Sequence, residues 1–160
     1  MTHEREVAAP EVDVEVEAEF AELDVGHGPV VGIIMGSKSD WEVMEKAAKE
    51  LEERGIAHEM KVASAHRDPD VVADYAKNAQ VRGLKVIIAG AGLAAALPGV
   101  VAAHTQLPVV GVPLTSSNSV AGGLDAMLAI AQMPPGVPVA CVAVNGARNA
   151  AILAARIIGQ

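Results

Sequence analysis

From residue 30 onward, short runs of β-branched and aliphatic residues alternate with stretches whose apolar residues recur every three or four positions. That alternation leaves few options. Successive parallel strands need a crossover between them, and a helix supplies it, so the pattern predicts a parallel sheet covered by helices. Val30 to Met35 reads as the first strand, and Trp41, Met44, Ala47, Ala48 and Leu51 mark the apolar face of a helix that Gly55 ends. His58 to Ala63 is the second strand, and Asp68-Pro69 offers an N-cap and first-turn proline for a helix to about Val81. Val86 to Ala89 is the third strand, followed by the small-residue loop Gly90 to Ala96 and a helix that Pro98 can start. Pro108 to Val112 and Val137 to Val144 are the fourth and fifth strands, separated by a polar stretch from Thr115 to Ser119 and a helix around Leu124 to Ala131. An Ala-rich helix over 147–159 closes the chain. The expected fold is α/β, a three-layer sandwich with a parallel five-stranded sheet, flavodoxin-like.

The only aromatic residues are Phe20, Trp41 and Tyr75, so the core must be aliphatic, which suits helices packed closely on a parallel sheet. The net charge of −8 resides in residues 1–28, where nine acids face Arg5 alone; the other eleven acids and eleven bases cancel. Residues 1–28 are therefore expected to be a disordered acidic extension, although Val12, Val14, Val16, Ala18 and Phe20 alternate with acids as in an edge strand. Residues 29–160 are of a length for one domain and are expected to form a single α/β domain. A neutral body with an acidic tail lacks the clustered Lys and Arg that nucleic acid requires. Neither a secretory signal nor a bilayer-spanning run is present, so a cytoplasmic protein without a membrane partner is expected. The single Cys141 lies in an apolar run and is expected to be a buried structural thiol.

In open parallel sheets, ligands bind beyond the carboxyl ends of the strands, where strand order reverses. Three loops follow the first three strands. In the first, Gly36-Ser37-Lys38-Ser39-Asp40-Trp41-Glu42, the Ser39/Glu42 spacing fits a capping box; the helix-start amides and the Ser37 hydroxyl can alternatively hold a phosphate. Asp40 is better suited to accept hydrogen bonds from ribose hydroxyls. In the second, Ser64-Ala65-His66-Arg67, the guanidinium suits a phosphate, and a histidine both takes and gives protons near neutral pH. The third carries only Gly, Ala and Leu, and offers backbone amides and an apolar wall. Each loop has a plain reading as cap, polar surface or tight connection. Together they make a phosphate clamp of Ser37, Ser39 and Arg67, a ribose acceptor, a proton shuttle and a dry wall. No histidine pair has metal-ligand spacing, and the phosphate-loop and dinucleotide fingerprints are absent.

The ordered motifs G-S-K-S-D-W at 36–41, S-A-H-R at 64–67, A-G-A-G at 89–92, L-P-G at 97–99, L-P-V-V-G-V-P at 107–113, G-L-D at 123–125 and Q-M-P-P-G-V-P-V at 132–139 resemble those of the 5-(carboxyamino)imidazole ribonucleotide mutase family of purine biosynthesis. The resemblance covers the chain from about residue 30. It implies a homo-octamer that converts the N-carboxylated ribonucleotide to its 4-carboxylated isomer, without metal, biotin, ATP or any other cofactor. Carried over by position, His66 matches the general acid/base, and Ser37, Asp40 and Arg67 the nucleotide-binding residues. Gly36, Ser39, Ser64, Ala91, Gly92 and Leu97 complete the expected substrate site. Arg67 also matters for subclass, because the related animal-type carboxylases carry Lys after the His. The family usually reads A-G-A-G-G-A-A-H-L-P-G in the third loop, whereas this chain has Leu93 in place of a glycine and Ala96 in place of the histidine. The stretch 145–149 is shorter than the usual form. Ala96 favours one rival, a paralogue acting on another nucleotide or without catalysis. A flavodoxin-like binding module is the other, with no aromatic side chain in its third or fourth loop to stack on a flavin.

Overall fold

A computed structural model describes residues 28–160. The acidic extension, including its alternating segment, lies outside the described residues. Five strands, β1 (Val31–Met35), β2 (His58–Val62), β3 (Val86–Gly92), β4 (Val109–Leu114) and β5 (Ala140–Cys141), alternate with five helices. These are α1 (Trp41–Glu53), α2 (Pro69–Asn78), α3 (Leu97–Ala103), α4 (Leu124–Ala131) and α5 (Ala147–Ile157). The sheet is wholly parallel in the order β2-β1-β3-β4-β5. The chain leaves β1 to one side for β2 and returns to the other for β3, which puts the reversal of strand order at β1 and β3.

Both faces of the sheet are buried. On one face Val31, Ile33 and Met35 of β1 join Val86, Ile88, Val110 and Val112 beneath α1 and α5. On the other, Ile34, Ile87, Ala89 and Val109 pack under α2, α3 and α4. Glycines in the strands stand where helix side chains press on the sheet. A Cβ at Gly32 would collide with the Tyr75 hydroxyl, one at Gly90 with the Met44 thioether, and one at Gly111 with Ile130. A core poor in aromatics thus reaches high density through backbone approach, not through side-chain bulk.

A buried carboxylate ties the two helices of the first face together. Glu50 on α1 accepts from Arg54 Nε at 2.9 Å and from Arg148 Nε of α5 at 2.7 Å. These two guanidinium hydrogen bonds hold its carboxyl below the usual glutamate range. At the β2 edge Glu59 pairs with Arg82, whose Nη1 donates at 3.0 Å, and the same guanidinium covers the ring of Tyr75.

Three sequence expectations are corrected. β3 runs on through Gly90-Ala91-Gly92, which pair with Val112, Pro113 and Leu114, so the first three of the seven expected loop residues are strand. β5 is only two residues long, not eight; Pro138, just upstream, has no N–H to give a ladder. Cys141 is half-buried, with its thiol pKa pushed up by desolvation.

Candidate active site

The carboxyl ends of β1 to β4 surround a cavity of about 440 Å³, lined by residues 36–37, 39–40, 64–67, 91–97 and 114–116. Gly36, Ser37, Ser39, Asp40, Ser64, His66, Arg67, Ala91, Gly92 and Leu97 all lie on its wall. Three segments that are far apart in sequence meet there because a parallel sheet delivers every strand end to one edge.

The first segment turns sharply. Ser37 is extended, and Lys38–Asp40 forms a 3₁₀ turn before α1. The cap is Ser37, not Ser39: Ser37 Oγ accepts from the Ser39 amide at 3.2 Å and lies 2.9 Å from Ser39 Oγ. The tighter turn moves the cap two residues upstream of the expected box and leaves both hydroxyls on the pocket wall. Asp40 is half-buried there; desolvation raises its carboxyl pKa, while a hydrogen bond from the Ser37 backbone and the nearby Arg67 charge pull the other way.

The second segment is built around Ser64, which is buried. Its hydroxyl accepts from the Arg67 amide at 3.3 Å, its carbonyl accepts from the Asp68 amide at 2.8 Å, and its own amide donates to Asp68 Oδ2 at 3.4 Å. Asp68 thus folds back on the loop and makes no side-chain cap hydrogen bond to α2. This knot presents His66 and Arg67 outward. Arg67 Nη2 crosses to the carbonyl of Gly36 at 2.8 Å, joining the first two segments. Its remaining donors, with the Ser37 and Ser39 hydroxyls, form the polar end of the cavity.

The third wall is apolar. The β3 end, the turn after it and the start of α3 contribute only Ala, Gly and Leu. Among the lining residues Asp40, His66 and Arg67 alone are ionisable. Gly92 has no room for a side chain, because a Cβ would sit 2.9 Å from the Leu114 carbonyl oxygen of β4. No group of three or more potential metal-ligating side chains occurs among the described residues.

The fourth wall, Leu114-Thr115-Ser116, was not among the residues picked from the sequence. Its signal was present, since the strand-end rule applies to β4 as much as to β1, β2 and β3, and the polar stretch from Thr115 was visible. Asn145, at φ 57°, fixes it: its Oδ1 accepts from the Thr115 amide at 3.1 Å and its Nδ2 donates to Thr115 Oγ1 at 2.8 Å.

A family model described as AIR carboxylase matches residues 30–160. The chain belongs to the AIR carboxylase family. It is 60% identical over 131 residues to the N5-carboxyaminoimidazole ribonucleotide mutase of Thermotoga maritima, covering 82% of this chain and 75% of that one. With the enzyme of the same name from Saccharolobus solfataricus it shares 58% identity over 131 residues, 82% of each chain. The crystal structure of Treponema denticola PurE superposes with a TM-score of 0.70 at 34% identity, over 81% of this chain and 80% of that one. The flavodoxin-like family fold expected from the motifs is the one observed.

Proposed function

We propose that this AIR carboxylase family member is a 5-(carboxyamino)imidazole ribonucleotide mutase, which moves the carboxylate from the exocyclic nitrogen to ring carbon 4. The observation that carries the reading is the meeting of His66, Arg67, Ser37 and Asp40 on one cavity at the strand-order reversal, in a chain about 60% identical to a mutase. Arg67 and the hydroxyls of Ser37 and Ser39 take the phosphate, with Gly36 and Ser64 shaping their loops. Asp40 accepts from the ribose. Ala91, Gly92 and Leu97 border the heterocycle.

The reaction then needs one proton in and one proton out. His66 as imidazolium protonates the nitrogen as the nitrogen–carboxylate bond breaks, giving the aminoimidazole nucleotide and carbon dioxide. The electron-rich ring carbon attacks the carbon dioxide, forming the new carbon–carbon bond while the ring carbon still carries its hydrogen. Neutral His66 removes that hydrogen as a proton, which restores the aromatic ring and the imidazolium. The scheme is closed in atoms and charge, and it calls for no metal or cofactor. Confinement replaces a bimolecular encounter, and exclusion of water protects the intermediate.

Assembly as a homo-octamer in the cytoplasm belongs to the same proposal. Leu124 and Leu128, four apart on α4, are exposed, as is Val120 just ahead of the turn that leads into it, and these apolar side chains are suited to contact with a second copy of the chain. None of the described helices is long and apolar enough to cross a membrane. The test is direct: the purified protein, mixed with the carboxyamino nucleotide in the absence of ATP and added metal, should yield the 4-carboxylated isomer by proton and carbon NMR. Appearance of the free aminoimidazole nucleotide alone would refute the assignment.

A further inference from the structure

The end of β4 lies across the cavity from the polar end. With the strands in the order β2-β1-β3-β4-β5, two sheet spacings, about 10 Å, separate the β1 end from the β4 end. Ser37, Asp40 and Arg67 come from the loops after β1 and β2, and the apolar wall from β3 lies between them and β4. Leu114 pairs with Gly92, and Thr115 is the next residue on the cavity wall. A nucleotide with its phosphate at Arg67 and its ring along β3 therefore brings the far edge of that ring to Thr115.

Two contacts fix the Thr115 side chain. Its methyl group lies over Gly123, where a Cβ would come within 2.9 Å of it. Its hydroxyl faces Asn145 Nδ2 at 2.8 Å, and the other end of that side-chain amide faces the Thr115 backbone N–H at 3.1 Å. The end that meets a backbone N–H must be the oxygen, so the end that meets the hydroxyl is the donor. A threonine hydroxyl has one proton and two lone pairs, so accepting from Asn145 leaves its proton for a different partner. Asn145 is anchored in turn by its own amide, which donates to the Pro113 carbonyl at 2.7 Å, and its φ of 57° is a left-handed conformation that Asn tolerates. The pair thus makes Thr115 a hydrogen-bond donor available to the cavity it lines.

We infer that Thr115 is a specificity-determining residue whose hydroxyl donates to the carboxylate of the bound nucleotide, and that Asn145 is its positioning residue. The inference rests on the mutase reading above. That reading gives partners to the phosphate, the ribose and the ring, and leaves the carboxylate, the charged group at the far end of the ligand, without one. The β3 wall has no polar side chain to offer, and a carboxylate taken out of water without a donor is costly. A neutral hydroxyl recognises the group without the strong ground-state hold of a guanidinium, which would oppose breaking the nitrogen–carboxylate bond. Thr115 thus distinguishes carboxylated nucleotides from the aminoimidazole nucleotide that lacks the group.

The experiment titrates the protein calorimetrically with two ligands, the 4-carboxylated nucleotide and the uncarboxylated aminoimidazole nucleotide. Thr115→Val keeps the branched shape and removes the hydroxyl. It should bind the carboxylated ligand about 10–100-fold more weakly, the worth of a hydrogen bond to a charged group, and the uncarboxylated ligand as the wild type does. That second affinity separates a lost contact from a lost fold. Thr115→Ser keeps the hydroxyl and should recover most of the loss. Asn145→Asp puts an acceptor where the hydroxyl now meets a donor, so the Thr115 proton turns away from the ligand and affinity for the carboxylated nucleotide falls again. In the Thr115→Val background the same change should do far less. An equal effect in both backgrounds would show charge repulsion acting alone and would remove the positioning role. No loss in Thr115→Val, or the same loss for both ligands, would overturn the inference; isomer formation by the wild type would then leave the mutase reading standing. A wild type that binds neither ligand and makes no isomer removes both.

Discussion

The wall made by residues 36–40 and 64–67 is organised by hydrogen bonds, from Ser37 to the Ser39 amide, from Arg67 to the Gly36 carbonyl and within the knot around Ser64. The wall made by residues 91–97 has no such side-chain bonds to offer and is shaped by backbone approach at Gly92 and positive φ at Leu93 and Ala95. Polar chemistry needs directed groups, and these must be satisfied by partners when no ligand is bound. An apolar wall needs only position and volume, which a strand end and a strained turn supply. In the proposed reaction one wall moves protons and holds charge, and the other confines.

That division is most easily broken at His66. His66→Asn keeps a polar side chain but cannot shuttle a proton, and isomer formation should fall by about 10²–10⁴-fold with circular dichroism unchanged. A variant as active as the wild type would remove proton transfer from the polar wall. Arg67→Ala should next weaken nucleotide binding by about 10–100-fold, the worth of a charged hydrogen-bond set. The loss should appear in KM more than in kcat, and an unchanged KM would place the phosphate elsewhere. On the other wall, Gly92→Ala must push against the Leu114 carbonyl, 2.9 Å from the new methyl. Calorimetry should record a loss of about 1–3 kcal/mol.

The smallest effect sharpens the contrast in a different way. Burial raises the Asp40 carboxyl pKa, so the native state takes up a proton more readily than the unfolded chain. Its charge therefore costs stability above the native pKa, and the cost fades as pH falls through that value. Asp40→Asn should melt slightly higher than the wild type at neutral pH, with the gap closing in acid, while nucleotide affinity drops. Equal melting temperatures across the range would mean that solvent screens the charge fully.

Local residues carried much of this fold. The β1 run, the buried face of α1 at Met44, Ala47 and Leu51 and the limits of α4 follow from periodicity and punctuation alone, whereas Trp41, expected on that face, is exposed in the first turn. Ser39 and Glu42 misled because a capping box assumes a regular α-helical start, whereas the chain first makes a 3₁₀ turn capped by Ser37. The Gly-Ala-Gly stretch reads as a loop by propensity, yet it completes β3 because β4 lies alongside and Met44 needs the space at Gly90. The Thr115-Asn145 pair joins residues thirty positions apart, and no local pattern marks it.

By itself the sequence determined the sheet, its covering helices and the residue types at each strand end, because hydrophobic period and turn chemistry are local properties read within a few residues. The tertiary structure alone decided that Ser37 caps the turn, that Arg67 bridges to Gly36, that Asn145 fixes Thr115 and that Leu93 stands at a positive φ on the cavity wall. Those outcomes depend on which strand lies beside which, and so on the packing of segments whose separation along the chain carries no trace of their contact.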